Sequence, residues 1–139
     1  MRTSVDTNVL SALLSAEPGA EKIAKVLHDA QGHGTLIICG AVFAELCAYP
    51  KISMDFVERF LTSTGIIVDF SMGEIVWREV AKRFGKYANR RRSSRGNHPK
   101  RLLTDFIVGA HALASADRLL TKDEGCYKQD FPELKRLTV

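Results

Sequence analysis

Short, continuously apolar segments alternate with helical patterns along this chain, and no other feature of the sequence limits the fold as strongly. Strands are predicted at 3–5, 35–39, 66–68 and 118–121, with a candidate fifth at 135–139. Helices are predicted between them, at about 7–15, 20–30, 41–49, 53–63, 71–87 and 105–115. Strands without polar alternation are typical of a parallel sheet that is covered on both faces. The sequence therefore predicts an α/β fold in which helices flank a central, short-stranded parallel sheet.

The length and composition favour one domain over residues 1–139. No apolar run approaches the roughly 20 residues of a membrane span, and the N-terminus lacks the pattern of a signal peptide. We therefore expect a cytoplasmic protein that makes no membrane contact. Cys39, Cys47 and Cys126 form neither an even set nor a CxxC pair, so we expect reduced, buried thiols.

The positive charge of the chain is concentrated in one stretch. Residues 82–101 contain nine basic residues and no acid, whereas the whole chain has 20 basic and 16 acidic residues. The rest of the chain is therefore acidic, with 11 basic residues against 16. Residues 89–99 have almost no apolar side chain, so the sequence predicts a basic flexible segment at about 88–101.

Three acids interrupt sequence that should be buried. Asp6, Glu45 and Asp105 are each the only charged residue in an apolar stretch of fourteen or more residues. Burying an ionised carboxylate is costly unless it is paired, hydrogen-bonded or bound to a metal. Each acid lies near the carboxyl edge of the predicted sheet, where open α/β sheets have their functional crevice. Clustered carboxylates without histidine or cysteine ligands favour Mg²⁺ or Mn²⁺ over zinc.

Simpler explanations remain for these acids. Asp6 and Asp105 are also explained as helix-start acids, which the helix dipole favours. Glu45 lies inside a predicted helix, where the simpler explanation is a buried ion pair with a distant arginine. A fourth acid is expected after the strand at 118–121. The first candidate is Asp123, and the alternatives are Asp117 and Glu124.

The predicted helix at 105–115 is apolar nearly all round, which indicates burial. His111 in this helix is therefore expected to be a core histidine with its hydrogen bonds satisfied. Gly109 and Ala112 share a helix face with Asp105, and we expect these small residues to leave room beside the acid.

These residues resemble the PIN-domain family, and specifically the toxins of VapBC-type toxin–antitoxin pairs. The matching segments are 5–10, 44–46, 104–113 and 116–127. The resemblance implies a three-layer α/β/α PIN-like fold, Mg²⁺- or Mn²⁺-dependent cleavage of RNA, a homodimer and an antitoxin partner. It maps the catalytic, metal-binding acids onto Asp6, Glu45, Asp105 and Asp123, with Thr7, Asn8 and Thr121 as supporting polar residues. Cys126 stands where an aromatic residue is common, a departure expected to affect packing and not the site.

We therefore expect a metal-dependent endoribonuclease that hydrolyses RNA phosphodiester bonds. No serine or cysteine has a convincing histidine partner, so a side-chain nucleophile is not expected. The basic segment would attract the RNA backbone. Its candidate RNA-binding residues are Lys86, Arg90, Arg91, Arg92, Arg95, Lys100 and Arg101.

Other functions stay open. One is a non-catalytic RNA-binding module that uses residues 82–101. Another is a receiver-like signalling domain with Asp69 as its phosphoacceptor, although Glu45 and Asp105 would then go unexplained. The basic segment itself also fits a solvated loop without a specific task, or a surface for an acidic patch on a protein partner.

Overall fold

The computed structural model describes all residues from Met1 to Val139. Five strands form one sheet in the order β3-β2-β1-β4-β5, and every neighbouring pair is parallel. The strands are β1 (Arg2–Val5), β2 (Thr35–Cys39), β3 (Ile67–Asp69), β4 (Arg118–Thr121) and β5 (Arg136–Thr138). The helices are α1 (Thr7–Leu14), α2 (Ala20–Gln31), α3 (Gly40–Cys47), α4 (Met54–Thr64), α5 (Glu74–Ser93), α6 (Leu103–Ser115) and α7 (Glu124–Asp130).

The strand order reverses at β1, the central strand. Parallel neighbours need crossover connections, so the helices between the strands cover both faces of the sheet and give three layers. The predicted three-layer α/β/α fold is therefore confirmed. None of the helices combines the length and the apolar character that a membrane span requires.

Burial explains which strands the sequence pattern identified best. Val5, Ile38 and Leu120, on the three central strands, are fully buried, and Ile38 and Leu120 lie in short apolar runs. The third strand was expected to be buried as well, but β3 is an edge strand and Ile67 is 56% exposed. Only β2 pairs with it, so one edge of β3 is left open.

The basic segment is more regular than its composition suggests. The expected helix end at about residue 87 is wrong, because α5 continues to Ser93 and includes the first part of the predicted loop. The buried Tyr87 holds the rest of the segment, since its hydroxyl accepts the Arg101 backbone N–H and donates to the Pro99 carbonyl. The chain is thereby returned to the start of α6.

Aromatic packing joins the helices on this side of the sheet. Phe106 of α6 lies 5.1 Å from Phe84 and 5.3 Å from Tyr87, between ring centroids. Phe131, just after α7, fills the space at Gly109, where an added Cβ would lie 2.5 Å from its ring. The expectation that Gly109 leaves room beside Asp105 is therefore wrong, because a ring from another element occupies that room.

His111 is fully buried in α6, and its Nε2 atom lies 2.9 Å from Oδ2 of Asp69. This hydrogen bond is the main reason why the pKa of Asp69 lies below its usual value. The Nδ1 atom of His111 has no partner, so the expected core histidine is only half satisfied.

Asp69 ends an edge strand, so the receiver-like alternative is wrong, because it needs its phosphoacceptor after a middle strand.

Candidate active site

Asp6 lies in the site at the junction of β1 and α1. Its backbone N–H donates to the Leu120 carbonyl at 2.9 Å, which continues the pairing of β1 with β4. Its Oδ1 atom accepts the Thr7 backbone N–H at 2.8 Å, so Asp6 is the N-cap of α1. The helix-start explanation is therefore correct for Asp6, and yet the side chain is only 7% exposed. A helix N-cap can equally lie at the protein surface, so capping alone does not explain why Asp6 is buried.

Two hydroxyl groups hold the other oxygen of Asp6. Its Oδ2 atom accepts the hydroxyl protons of Thr121 at 2.9 Å and Tyr127 at 2.8 Å. Burial raises the pKa of Asp6, and these hydrogen bonds oppose that rise. Burial and the neighbouring Asp6 also raise the pKa of Tyr127, which keeps its hydroxyl a donor. Three of about four lone-pair positions of the carboxylate are used, so one position on Oδ1 stays open.

Glu45 approaches Asp6 from α3. Its Oε1 atom accepts the Thr7 hydroxyl proton at 2.6 Å, so Thr7, the first residue of α1, contacts both acids through its backbone N–H and its hydroxyl. No lysine or arginine pairs with Glu45, and the simpler explanation of a buried ion pair is wrong. The side chain is half-buried and faces the same space as Asp6.

Asp105 lies in the first turn of α6. Its Oδ2 atom accepts the Leu102 backbone N–H at 2.9 Å, so it also caps its helix. Burial is the main cause of the raised pKa of Asp6, and the negative charge of Asp105 adds a smaller contribution.

Asp123 is the acid that the chain supplies after β4. It is the N-cap of α7, where its Oδ1 atom accepts the Cys126 backbone N–H at 3.2 Å. Its Oδ2 atom lies 3.1 Å from Nη1 of Arg101. The two alternatives lie elsewhere. Asp117 accepts a hydrogen bond from the Arg2 backbone at the amino end of β4, and Glu124 faces β5.

Thr121 connects these groups from the end of β4. Besides donating to Asp6, its hydroxyl accepts the Asp123 backbone N–H at 3.0 Å and the Asn8 side-chain amide at 3.4 Å. The amide oxygen of Asn8 in turn accepts the Lys122 backbone N–H at 3.1 Å. Asn8 and Thr121, two of the three polar residues that the resemblance indicated, thus hold the carboxyl ends of β1 and β4 together.

The four acids face one pocket of ≈ 180 Å³ at the carboxyl edge of the sheet. It is lined by Asp6, Thr7, Asn8, Glu45, Tyr49, Asp105, Asp123, Cys126 and Tyr127. Sequence reasoning missed the two tyrosines as site residues. One signal for Tyr127 was available, since it lies four residues after Asp123 in a matching segment. Cys126 lines the pocket as well, so its expected confinement to packing is wrong, and burial raises the pKa of its thiol to about 12.

The donor set of the pocket fits a hard divalent cation, because carboxylate oxygens are the ligands that Mg²⁺ and Mn²⁺ prefer. In the structure no three of these side chains are placed to hold one ion together. The three outer acids each accept a hydrogen bond from the protein instead, Glu45 from Thr7, Asp105 from Leu102 and Asp123 from Arg101. These hydrogen bonds hold the three side chains in their present positions, and joint binding of one cation by three of the acids would require some of them to move.

The candidate RNA-binding residues fall into two groups. Arg90 and Arg101 form ion pairs with Asp130 and Asp123. The other five make no ion pair with the protein, although Arg91 lies 3.5 Å from a backbone carbonyl and Arg92 contacts a neighbouring asparagine. These five are Lys86, Arg91, Arg92, Arg95 and Lys100.

Fold and site together define an α/β protein with an acidic pocket at the switch point of a parallel sheet. The PIN domain model matches residues 4–132, and the chain therefore belongs to the PIN-domain family. This confirms the family to which the sequence motifs pointed. Among curated proteins no match to the chain was found.

Two solved structures share the fold. One is VapBC-1 from nontypeable Haemophilus influenzae, with 20% identity and a TM-score of 0.66 over 99% of this chain and 98% of that chain. The other is VapBC2 from Rickettsia felis bound to a DNA fragment from their promoter, with 19% identity and a TM-score of 0.64 over the same shares. At these identities the likeness supports the three-layer fold.

Proposed function

We propose that this protein is a Mg²⁺- or Mn²⁺-dependent endoribonuclease and the toxin of a toxin–antitoxin pair. One observation carries the proposal: acids from four separate parts of the chain face one pocket, and one of them is almost fully buried. A protein that only binds RNA has no need to bury a carboxylate beside three others. Membership of the PIN-domain family supports the same conclusion.

Asp6, Glu45, Asp105 and Asp123 would hold the cation. When bound, a divalent ion of this kind would lower the pKa of a water molecule attached to it and would stabilise negative charge on the attacked phosphate. Asp6 is oriented before the reaction by Thr121 and Tyr127, and Glu45 is oriented by Thr7, so little ordering remains to be done when the substrate arrives.

The other groups in the pocket favour hydrolysis by water over a covalent intermediate. Cys126 is the only thiol there, and a thiol with a pKa of about 12 is protonated at neutral pH and is a poor nucleophile. Exposed cations such as Lys86, Arg95 and Lys100 would bind the RNA backbone through phosphate contacts, which add affinity without sequence choice.

The partners are proposed on the same basis. Both solved structures named above are of VapBC proteins, and they support an antitoxin as the partner of this chain. We also propose that the protein forms a homodimer and is located in the cytoplasm. Co-expression with a small open reading frame immediately upstream, followed by copurification, tests the antitoxin separately from the nuclease activity.

The activity is tested with a labelled, structured RNA in the presence of Mg²⁺ or Mn²⁺, with and without a chelator. We expect Asp6→Asn and Asp105→Asn to lower the cleavage rate on the order of 10²-fold or more, because each removes a ligand charge. Asp117→Asn is the matched control, because Asp117 is an acid at the opposite edge of the sheet. Thermal unfolding of each variant verifies that it is folded.

Cleavage that persists with chelator, or full activity in both pocket variants, would refute the metal-dependent mechanism. RNA binding without cleavage, unchanged by the two substitutions, would instead favour the non-catalytic RNA-binding module.

A further inference from the structure

Arg101 differs from the other basic residues because it lies at the acidic pocket. Its Nη1 atom is 3.1 Å from Oδ2 of Asp123. Its backbone N–H donates to the hydroxyl of Tyr87, whose ring is buried against Phe106. The main chain of Arg101 is therefore fixed beside the pocket, and only its side chain can change partner.

The ion pair that Arg101 forms is open to solvent. The side chains of Arg101 and Asp123 are 22% and 50% exposed. By contrast, the Asp130 side chain that pairs with Arg90 is only 5% exposed. Pairs as exposed as Arg101 and Asp123 change an equilibrium constant by no more than about fivefold. Asp123 can therefore exchange this arginine for another cation at little cost.

We propose that Arg101 competes with the divalent cation for Asp123 and that the displaced guanidinium then binds an RNA phosphate. This inference rests on the proposed function, because it assigns a second role to a group at the same site. A carboxylate oxygen engaged by the arginine is less available to the cation, and a bound cation repels the guanidinium. The planar fork of arginine suits a phosphate group at least as well as a carboxylate.

The exchange couples metal binding to RNA binding. The cation releases Arg101 for the phosphate, and a phosphate that holds Arg101 leaves Asp123 open to the cation. Since binding free energies are reciprocal, each ligand should then raise the affinity for the other. Without substrate, Arg101 neutralises part of the negative charge at the acidic pocket.

The first experiment is an Mn²⁺ titration without RNA. We expect Arg101→Gln to bind Mn²⁺ about two- to fivefold more tightly than the wild type, because the competing charge is gone. Arg101→Lys keeps the charge and should fall between them. Arg59→Gln is the matched control, because Arg59 forms an exposed pair with Asp55 on α4, and it should bind Mn²⁺ like the wild type.

The second experiment measures binding of a labelled single-stranded RNA by fluorescence anisotropy over a range of salt concentrations, with a gel to verify that the RNA is intact. In the wild type, Mn²⁺ should steepen the dependence of log K on log salt by about 0.7 more than it does in Arg101→Gln, which is one additional phosphate contact. Without Mn²⁺ the two slopes should lie closer together, because Asp123 then competes with the phosphate for Arg101.

Unchanged Mn²⁺ affinity in Arg101→Gln, or an equal effect of Mn²⁺ on both slopes, would overturn the proposal even if the wild type cleaves RNA. A wild type that shows the coupling and does not cleave RNA would refute the nuclease function and leave the exchange standing. Absence of saturable Mn²⁺ binding to the wild type would overturn both.

Discussion

The hydroxyl of Tyr127 donates the hydrogen bond that most favours the ionised form of the buried Asp6 carboxylate. Tyr127→Phe removes this hydroxyl from a side chain that is 1% exposed and changes the packing little. Hydrogen bonds to charged groups contribute about 1.5–3 kcal/mol, and those to neutral groups contribute about 0.5–1.5 kcal/mol. The variant should therefore lose more stability when Asp6 is ionised than when it is protonated.

The sign of the pH dependence follows from the raised pKa of Asp6. A group whose folded pKa lies above its unfolded value contributes stability that is present at low pH and is lost as the pH rises through the folded pKa. The Tyr127 hydroxyl opposes that loss by favouring the ionised form. Removal of the hydroxyl raises the pKa of Asp6 further. The loss of unfolding free energy in Tyr127→Phe should therefore grow by about 1 kcal/mol between a pH below 3.8, the ordinary pKa of an aspartate, and neutral pH.

Urea unfolding of both proteins at several values between pH 3.5 and 8, roughly spanning this window, measures the effect. Tyr49→Phe is the control, because Tyr49 lines the same pocket and makes no hydrogen bond to Asp6. We expect it to stay within about 0.5 kcal/mol of the wild type. A deficit of Tyr127→Phe that is equal at all pH values, or larger in acid, would show that the hydroxyl does not stabilise the ionised carboxylate.

Two further predictions concern stability, and thermal unfolding checks both. Gly109→Ala should cost about 1–3 kcal/mol, because its Cβ would enter the ring of Phe131, whereas Gly85→Ala has open space and should gain about 0.5–1 kcal/mol. A stable Gly109→Ala protein would mean that the ring moves freely. Arg83→Met should cost about 2 kcal/mol. The Arg83 side chain is 15% exposed, forms hydrogen bonds and ion pairs with two glutamates and a backbone carbonyl, and lies over the ring of Phe131. A loss below about 0.5 kcal/mol would place these bonds among ordinary surface pairs.

The sequence identified the sheet and three of the pocket acids because their signals are local. A buried parallel strand shows itself as a short apolar run, and a charge inside apolar sequence stands out by itself. Asp6, Glu45 and Asp105 were found in this way, although helix capping also explains Asp6 and Asp105. Asp123 lies in polar sequence; it was chosen because it follows the fourth strand, and the family resemblance indicated the same acid.

Local patterns failed at three places, and packing between distant segments decided one of them. The polar residues after Tyr87 resemble a loop by composition, yet arginine is a good helix former and α5 continues to Ser93. The short helix α7 has too few residues for a periodic signal. The room beside Gly109 is filled by Phe131, which no helical spacing could show.

By itself, then, the sequence determined the α/β alternation and the acids that must be explained, because periodicity and hydropathy act between near neighbours. Only the tertiary structure decided what surrounds each acid. Tyr127 reaches Asp6 across 121 positions of the chain, and Arg101 reaches Asp123 across 22. Such contacts depend on how the helices pack against the sheet.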